Sequence, residues 1–257
     1  MTKMYAFHGG GEQLTRSVID PFDDDCGAII DAPYFFYMIQ HPEGTILFDT
    51  GAHVSFIDDP RTRLGEGADK YAISMSTGDD VVSQIASVGV EPESIDVIVP
   101  SHLHYDHCGG MEFFPNARIY LQRAELEFAN NPPIYQRDVY VPADYEQPLD
   151  WNLLDGEHDV FNDGSVVIFP TPGHTPGHQS MLVRLKDSAF ILVGDAAYDP
   201  EKMQQRRLPA VIWSPDEMIA SWELLEAKQR EYDAELIFTH DINFREKTRV
   251  APAEWYE

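Results

Sequence analysis

Three histidines and an aspartate fall within the six positions His102 to His107 of "SHLHYDHCGG", directly after the apolar run "IDVIVP". A segment this polar behind a run that apolar fits where a β-strand ends. The strand anchors the chain, and the turn signalled by Gly109 and Gly110 exposes the side chains that follow. In extended backbone alternate side chains share a face, so His102 and His104 can reach one metal ion together. As the chain turns, Asp106 and His107 can point at a second centre nearby. Imidazole combined with carboxylate suits Zn, Fe, Mn or Co rather than Ca or Mg.

A metal needs more ligands than one loop supplies. Three further strand candidates end in suitable groups: "VVIFP" leads to His174, "ILVG" to Asp195, and "ELIFT" to His240. The full set of predicted strands is "APYFFYMI", "GTILFDT", "IDVIVPS", "ARIYLQ", "VVIFPTP", "SMLVRL", "AFILVGD" and "ELIFTHD", all rich in β-branched and aromatic residues. A helix is expected from Ser214 to Tyr232. Ser214 is its N-cap, Pro215 its first residue and Glu217 the partner in a capping box; Met218, Ile219, Trp222 and Leu225 form its apolar stripe. "DDVVSQIASVGV" is a second helix, ended near Gly89. Strands interleaved with helices imply a layered α/β architecture, and the lack of a Pro/Gly/Ser linker implies one domain over residues 1–257. The polar stretch from Ala52 to Thr77 is long for a connection and reads as a lid or a dimer contact.

Charge narrows the partners. Against 18 Lys and Arg stand 44 Asp and Glu, a net charge of −26 spread along the chain, which repels phosphate backbones and argues against nucleic acid. No apolar run approaches the roughly 20 residues of a membrane span, and the N-terminal stretch lacks the pattern of an export signal. A soluble, cytoplasmic protein without membrane contact is expected. Cys26 and Cys108 read as free thiols.

Taken together, "HLHYDH", "TPGHTPGH", "GDAAYD" and "THD" resemble the metallo-β-lactamase superfamily and, within it, the N-acyl homoserine lactonases, from "ILFDTG" through His240. Tyr198, three residues after Asp195, matches the tyrosine which that group uses beside its metals. The resemblance implies an αβ/βα four-layer sandwich and two divalent metal ions, zinc foremost. It places His102, His104 and His174 on one ion and Asp106, His107 and His240 on the other, with Asp195 bridging. It also implies that Asp49 orients a ligand, that His178 is structural and that Cys108 is no ligand. Tyr105 either lines the pocket or supports its loop.

The expected chemistry is opening of a lactone ring. Two ions share a water whose pKa falls towards neutrality, giving a bridging hydroxide as nucleophile. Tyr198 donates to the developing oxyanion, and Asp106 carries a proton to the leaving alkoxide. An apolar tail on the substrate would lie against "LPAVIWSP" and the segment after Gly51. Another lactonase of the superfamily, such as a 4-pyridoxolactonase, is similar in "HCGG" and "DAAY". A glyoxalase II-like thioesterase fits less well, because only 17 residues follow His240 where that group carries a basic helical region. A non-catalytic relative would be expected to have lost a ligand, and all seven positions are filled.

Overall fold

A computed structural model describes residues 2–241 and 248–257. Its strands, in chain order, are β1 (Lys3–Thr15), β2 (Ile29–His41), β3 (Gly44–Phe48), β4 (Ala72–Ser74), β5 (Val97–Val99), β6 (Arg118–Gln122) and β7 (Asp150–Leu154), then β8 (His158–Asp159), β9 (Val166–Pro170), β10 (Gln179–Arg184), β11 (Ala189–Gly194) and β12 (Ala234–Phe238). The first seven form one sheet in the order β4-β1-β2-β3-β5-β6-β7; the other five form a second in the order β12-β11-β10-β9-β8. β3, β5, β6 and β7 run parallel, as do β11 and β12, and the remaining pairs are antiparallel.

Period-two alternation builds the layers. Ile46 and Phe48 of β3, with Val97 and Val99 of β5, face the second sheet and pack with Ile168, Met181 and Leu192. Leu47 and Ile98, one residue out of phase, face the opposite way onto Val81 and Ile85 of a covering helix. The outer face of the second sheet presents Val167, Phe169, Ile191 and Val193 to Met218, Trp222 and Leu225. Helix, sheet, sheet, helix is the four-layer sandwich that the resemblance implied.

The α-helices are α1 (Arg61–Leu64), α2 (Val81–Ala86), α3 (Tyr105–Cys108), α4 (Arg123–Ala129), α5 (Pro142–Tyr145), α6 (Pro200–Gln204) and α7 (Pro215–Tyr232). α7 starts as its sequence dictates: the Glu217 N–H donates to Ser214 Oγ at 3.3 Å, and Pro215 occupies the first position. α2 is capped by Asp80, which accepts from the Ser83 N–H at 3.0 Å; it is shorter than its apolar spacing suggests, and Gly89 beyond it adopts φ 76°. No described helix is long and apolar enough to cross a membrane. Both cysteines are free, and Cys108 is buried.

Two stretches hold structure that the sequence pattern did not announce. The first strand was not foreseen: "GGG" at 9–11 sits inside β1 as a bulge between His8 and Gly11, with Gly10 at φ 91°. The stretch from Ala52 to Thr77, read as a lid or a dimer contact, holds short helical turns, α1 and β4, and β4 pairs with β1.

Trp222 ties α7 to the sheet, being 1% exposed with its indole N–H donated to the Ala196 carbonyl. Trp222→Ala should therefore lower unfolding free energy by about 3–5 kcal/mol, read from the guanidinium midpoint. A loss below about 1 kcal/mol would contradict this packing.

Candidate metal centre

The residues after β3, β5, β9, β11 and β12 assemble at one edge of the sandwich. Parallel strands bring their carboxyl ends to the same side, where side chains from distant sequence positions can meet. Three overlapping groups of potential ligand atoms lie within 4.8 Å of one another: His102, His104 and His174; His102, His107 and Asp195; Asp106, His107 and His240. All seven positions singled out in the sequence are thus brought together. Asp106 is half-buried and the other six are buried.

The separations match what a metal demands. Ligand bonds of about 2.0–2.1 Å in a tetrahedron set donor atoms roughly 3.3 Å apart. His174 Nε2 lies 3.1 Å from His104 Nδ1, and His240 Nε2 lies 3.3 Å from His107 Nε2. Asp195 spans the two groups: Oδ1 is 3.3 Å from His107 Nε2 and 3.2 Å from His240 Nε2, while Oδ2 is 3.5 Å from His174 Nε2. Asp106 Oδ2 is 3.4 Å from His107 Nε2 and 3.5 Å from His240 Nε2. His102 Nε2 and His104 Nε2 are buried with no hydrogen-bond partner, a costly state that a cation facing His102 would relieve for its ring.

The other ring nitrogens fix the imidazoles. His107 Nδ1 donates to Asp49 Oδ2 at 2.9 Å, His174 Nδ1 to the Val211 carbonyl at 3.0 Å and His240 Nδ1 to the Pro33 carbonyl at 2.8 Å, which turns each Nε2 towards the cluster. His102 Nδ1 is 3.0 Å from Ser101 Oγ. Asp49 is a non-glycine residue at φ 61°, a conformation costing on the order of 1–2 kcal/mol. Its oxygens are held there by the Ser101 N–H at 2.6 Å and Ser101 Oγ at 3.1 Å, so the strain aims its carboxylate at His107.

Electrostatics point the same way. Burial alone favours neutral imidazole at His107, yet the carboxylates of Asp106, Asp195 and Asp49 hold it well above its ordinary range. Burial likewise lowers His240, but Asp195 and Asp106 outweigh that and set it at about 9. His102 and His104 are pushed well below their usual range by burial and by neighbouring imidazoles. Protons on His107 and His240 therefore neutralise the carboxylates when no cation is there to do so.

Glu125 and Gly177 were not read from the sequence, whereas His178 was expected to be structural. Glu125, fully buried in α4, accepts from the Leu103 N–H at 3.1 Å and the Tyr140 hydroxyl at 2.9 Å, and also from Thr175 Oγ1. It clamps the His102–His107 loop to the His174 loop. Gly177 is required by the same clamp, since a Cβ there would meet the Glu125 backbone N at 2.1 Å. His178 lies beside the cluster without belonging to any ligand group: burial and the His174 imidazole lower it to about 3, and neutral Nε2 accepts from the Asp195 N–H at 2.9 Å.

Above the cluster lies a cavity of about 410 Å³. Its floor includes His104, Asp106, His174, Asp195, Tyr198 and His240. Leu14, Val18, Ile19, Ile29 and Val139 make its walls apolar, and the expected walls contribute Val211 from "LPAVIWSP" and Lys70 and Tyr71 from the segment after Gly51. Tyr198 Oη lies 3.3 Å from His174 Nδ1. Tyr105 does both things considered for it: it lines the cavity, and its buried ring packs against Phe56 and Tyr71.

Comparison with known proteins agrees with this geometry. The model of the metallo-beta-lactamase superfamily matches residues 31–240. N-acyl homoserine lactonase AttM of Rhizobium radiobacter is 35% identical over 236 residues, covering 90% of this chain and 89% of that protein. N-acyl homoserine lactonase AiiA of Bacillus thuringiensis subsp. kurstaki is 30% identical over 228 residues, 88% of each chain. A solved N-acyl homoserine lactone hydrolase, with the product N-hexanoyl-L-homoserine bound at its catalytic metal center, superposes with a TM-score of 0.87 at 29% identity over 98% of both chains. The chain belongs to the metallo-beta-lactamase superfamily and, within it, to the N-acyl homoserine lactonase family.

Proposed function

We propose that the chain is a dinuclear metal hydrolase that opens the lactone ring of N-acyl homoserine lactones. The observation that carries this reading is the convergence of five imidazoles and two carboxylates, of which three imidazoles and both carboxylates line an apolar-walled cavity. We assign His102, His104 and His174 to one divalent ion and Asp106, His107 and His240 to the other, with Asp195 between them. Zinc is the first choice, and Fe, Mn or Co suit the same donors. When bound, such ions supply a water acidic enough to attack near neutral pH and a Lewis acid for the ester carbonyl.

The chain's own groups do the rest. Burial and the Asp195 carboxylate hold the Tyr198 phenol well above its ordinary range, so it stays protonated and donates to the oxyanion forming on the lactone carbonyl. Asp106, at the cavity surface, receives the proton of the attacking water and returns it to the departing ring oxygen. Water thereby adds across the ester bond, giving a hydroxyl and a carboxylic acid on one product, and the acid releases its proton to solvent as a carboxylate. The net charge of −26 favours departure of that anion. The apolar walls suit an acyl chain. A homodimer, a single domain over the whole chain and a cytoplasmic location complete the proposal.

A panel of lactones, esters, thioesters and β-lactams offered to the metal-loaded protein tests the substrate class. N-acyl homoserine lactones should be turned over best; preference for a thioester or for 4-pyridoxolactone would reject the reading. Tyr198→Phe should lower kcat by about 10- to 100-fold while bound metal stays constant; an unchanged kcat removes Tyr198 from the chemistry. Protons on His107 and His240 must leave before the ions bind, so acid opposes loading. Apparent zinc affinity, measured by chelator competition, should fall about tenfold or more per unit from roughly pH 8 to 6. A pH-independent affinity would contradict the assigned ligands.

A further inference from the structure

The mechanism leaves one carboxylate at the cavity without a task. Glu12 of β1 lines the cavity, and its Oε2 accepts from the Tyr105 hydroxyl at 3.0 Å. Tyr105 immediately precedes Asp106, so Glu12 stands beside the metal-binding floor rather than at the rim. We propose that Glu12 is a specificity-determining residue, accepting a hydrogen bond from the amide N–H that an N-acyl homoserine lactone carries next to its ring. This rests on the lactonase reading and deepens it.

The cavity lining holds the kinds of group that ligand needs. Along β1 alternate side chains share a face, so Glu12 and Leu14 point the same way, and Leu14 joins Val18, Ile19 and Ile29 in the apolar wall. Metal-binding side chains, a carboxylate and hydrocarbon would serve the ring, the amide and the acyl chain. A carboxylate offers about four acceptor positions, and the Tyr105 and Tyr34 hydroxyls occupy no more than two of them. A group so placed without a donor from the ligand would make the cavity a poor host for anything apolar.

The backbone is shaped to put Glu12 there. The bulge between His8 and Gly11 resets the alternation of β1 just before Glu12. Side chains are excluded from its crossing point: a Cβ on Gly10 would meet Ser74 O at 2.7 Å, and one on Gly11 would meet Ala32 O at 2.5 Å. Gly10, at φ 91°, takes a conformation that favours glycine. Without the bulge the phase of the strand would shift by one, and Glu12 and Leu14 would lose their shared face.

The test compares metal-loaded wild type, Glu12→Met and Glu12→Gln on N-hexanoyl homoserine lactone and on a γ-lactone bearing an alkyl tail of matched length and no N–H. The readout is the ratio of the two kcat/KM values, with bound metal as control. Wild type should favour the amide-bearing lactone, and Glu12→Met should lower the ratio about tenfold. Glu12→Gln keeps the size and one acceptor oxygen but loses the charge; it should lower the ratio about threefold, which keeps the test decisive if the Met variant does not fold. A ratio within about twofold of wild type in the folded variants, with both rates falling together, would mean that Glu12 only steadies Tyr105 and would overturn the inference. Loaded wild type inactive on both lactones would overturn the lactonase reading and this inference with it.

Discussion

Like-charged and unprotonated groups do not gather in a protein interior unless something of opposite charge holds them. Here His174 Nε2 and His104 Nδ1 face each other at 3.1 Å, and Asp195 Oδ1 lies within 3.3 Å of two further imidazoles. In water these groups would separate; in the chain they are fixed by strands whose hydrophobic faces build the two-sheet core. The folding energy of the sandwich therefore sustains a site whose carboxylates need cations, or protons on His107 and His240 in their place. The remaining features of this edge, from the strained Asp49 to the buried Glu125, follow from that one condition.

The supporting groups act at one remove. Asp49 tolerates φ 61° because Ser101 and His107 bind its oxygens, and that strain sets the His107 ring. His178 stays neutral so that it can receive the Asp195 N–H. Glu125 joins two loops that carry five of the ligands, from α4, which has no part in the chemistry. A change at any of them would reach the reaction through ligand position, since donor separations near 3.3 Å leave little room for drift.

Much of this was legible in the sequence, and the reasons differ from element to element. All eight expected apolar runs contain strands, because each is both β-prone and buried. α7 was legible through its cap and stripe. β7 and β8 were not, as "DWNLL" alternates weakly and β8 has two residues. β1 hid behind three glycines, whose purpose is visible only when β4 and β2 close around them. The seven positions at the metal centre were legible because they are punctuation: each follows an apolar strand candidate. Glu12, Glu125 and Ser101 carry no such mark. Partners such as Leu103 for Glu125, Asp49 for Ser101 and Tyr105 for Glu12 lie 22 to 93 positions away, so only the tertiary fold gives them meaning; the glycine run before Glu12 was the one available signal.

The central claim is that these side chains hold a pair of cations together. X-ray absorption on the purified, zinc-loaded protein, combined with metal analysis of the same sample, tests it most directly. The account predicts two ions per chain, nitrogen and oxygen neighbours only, and a metal-to-metal vector of about 3.5–4 Å. A single ion per chain with no such vector, or a sulfur neighbour from Cys108, would contradict it.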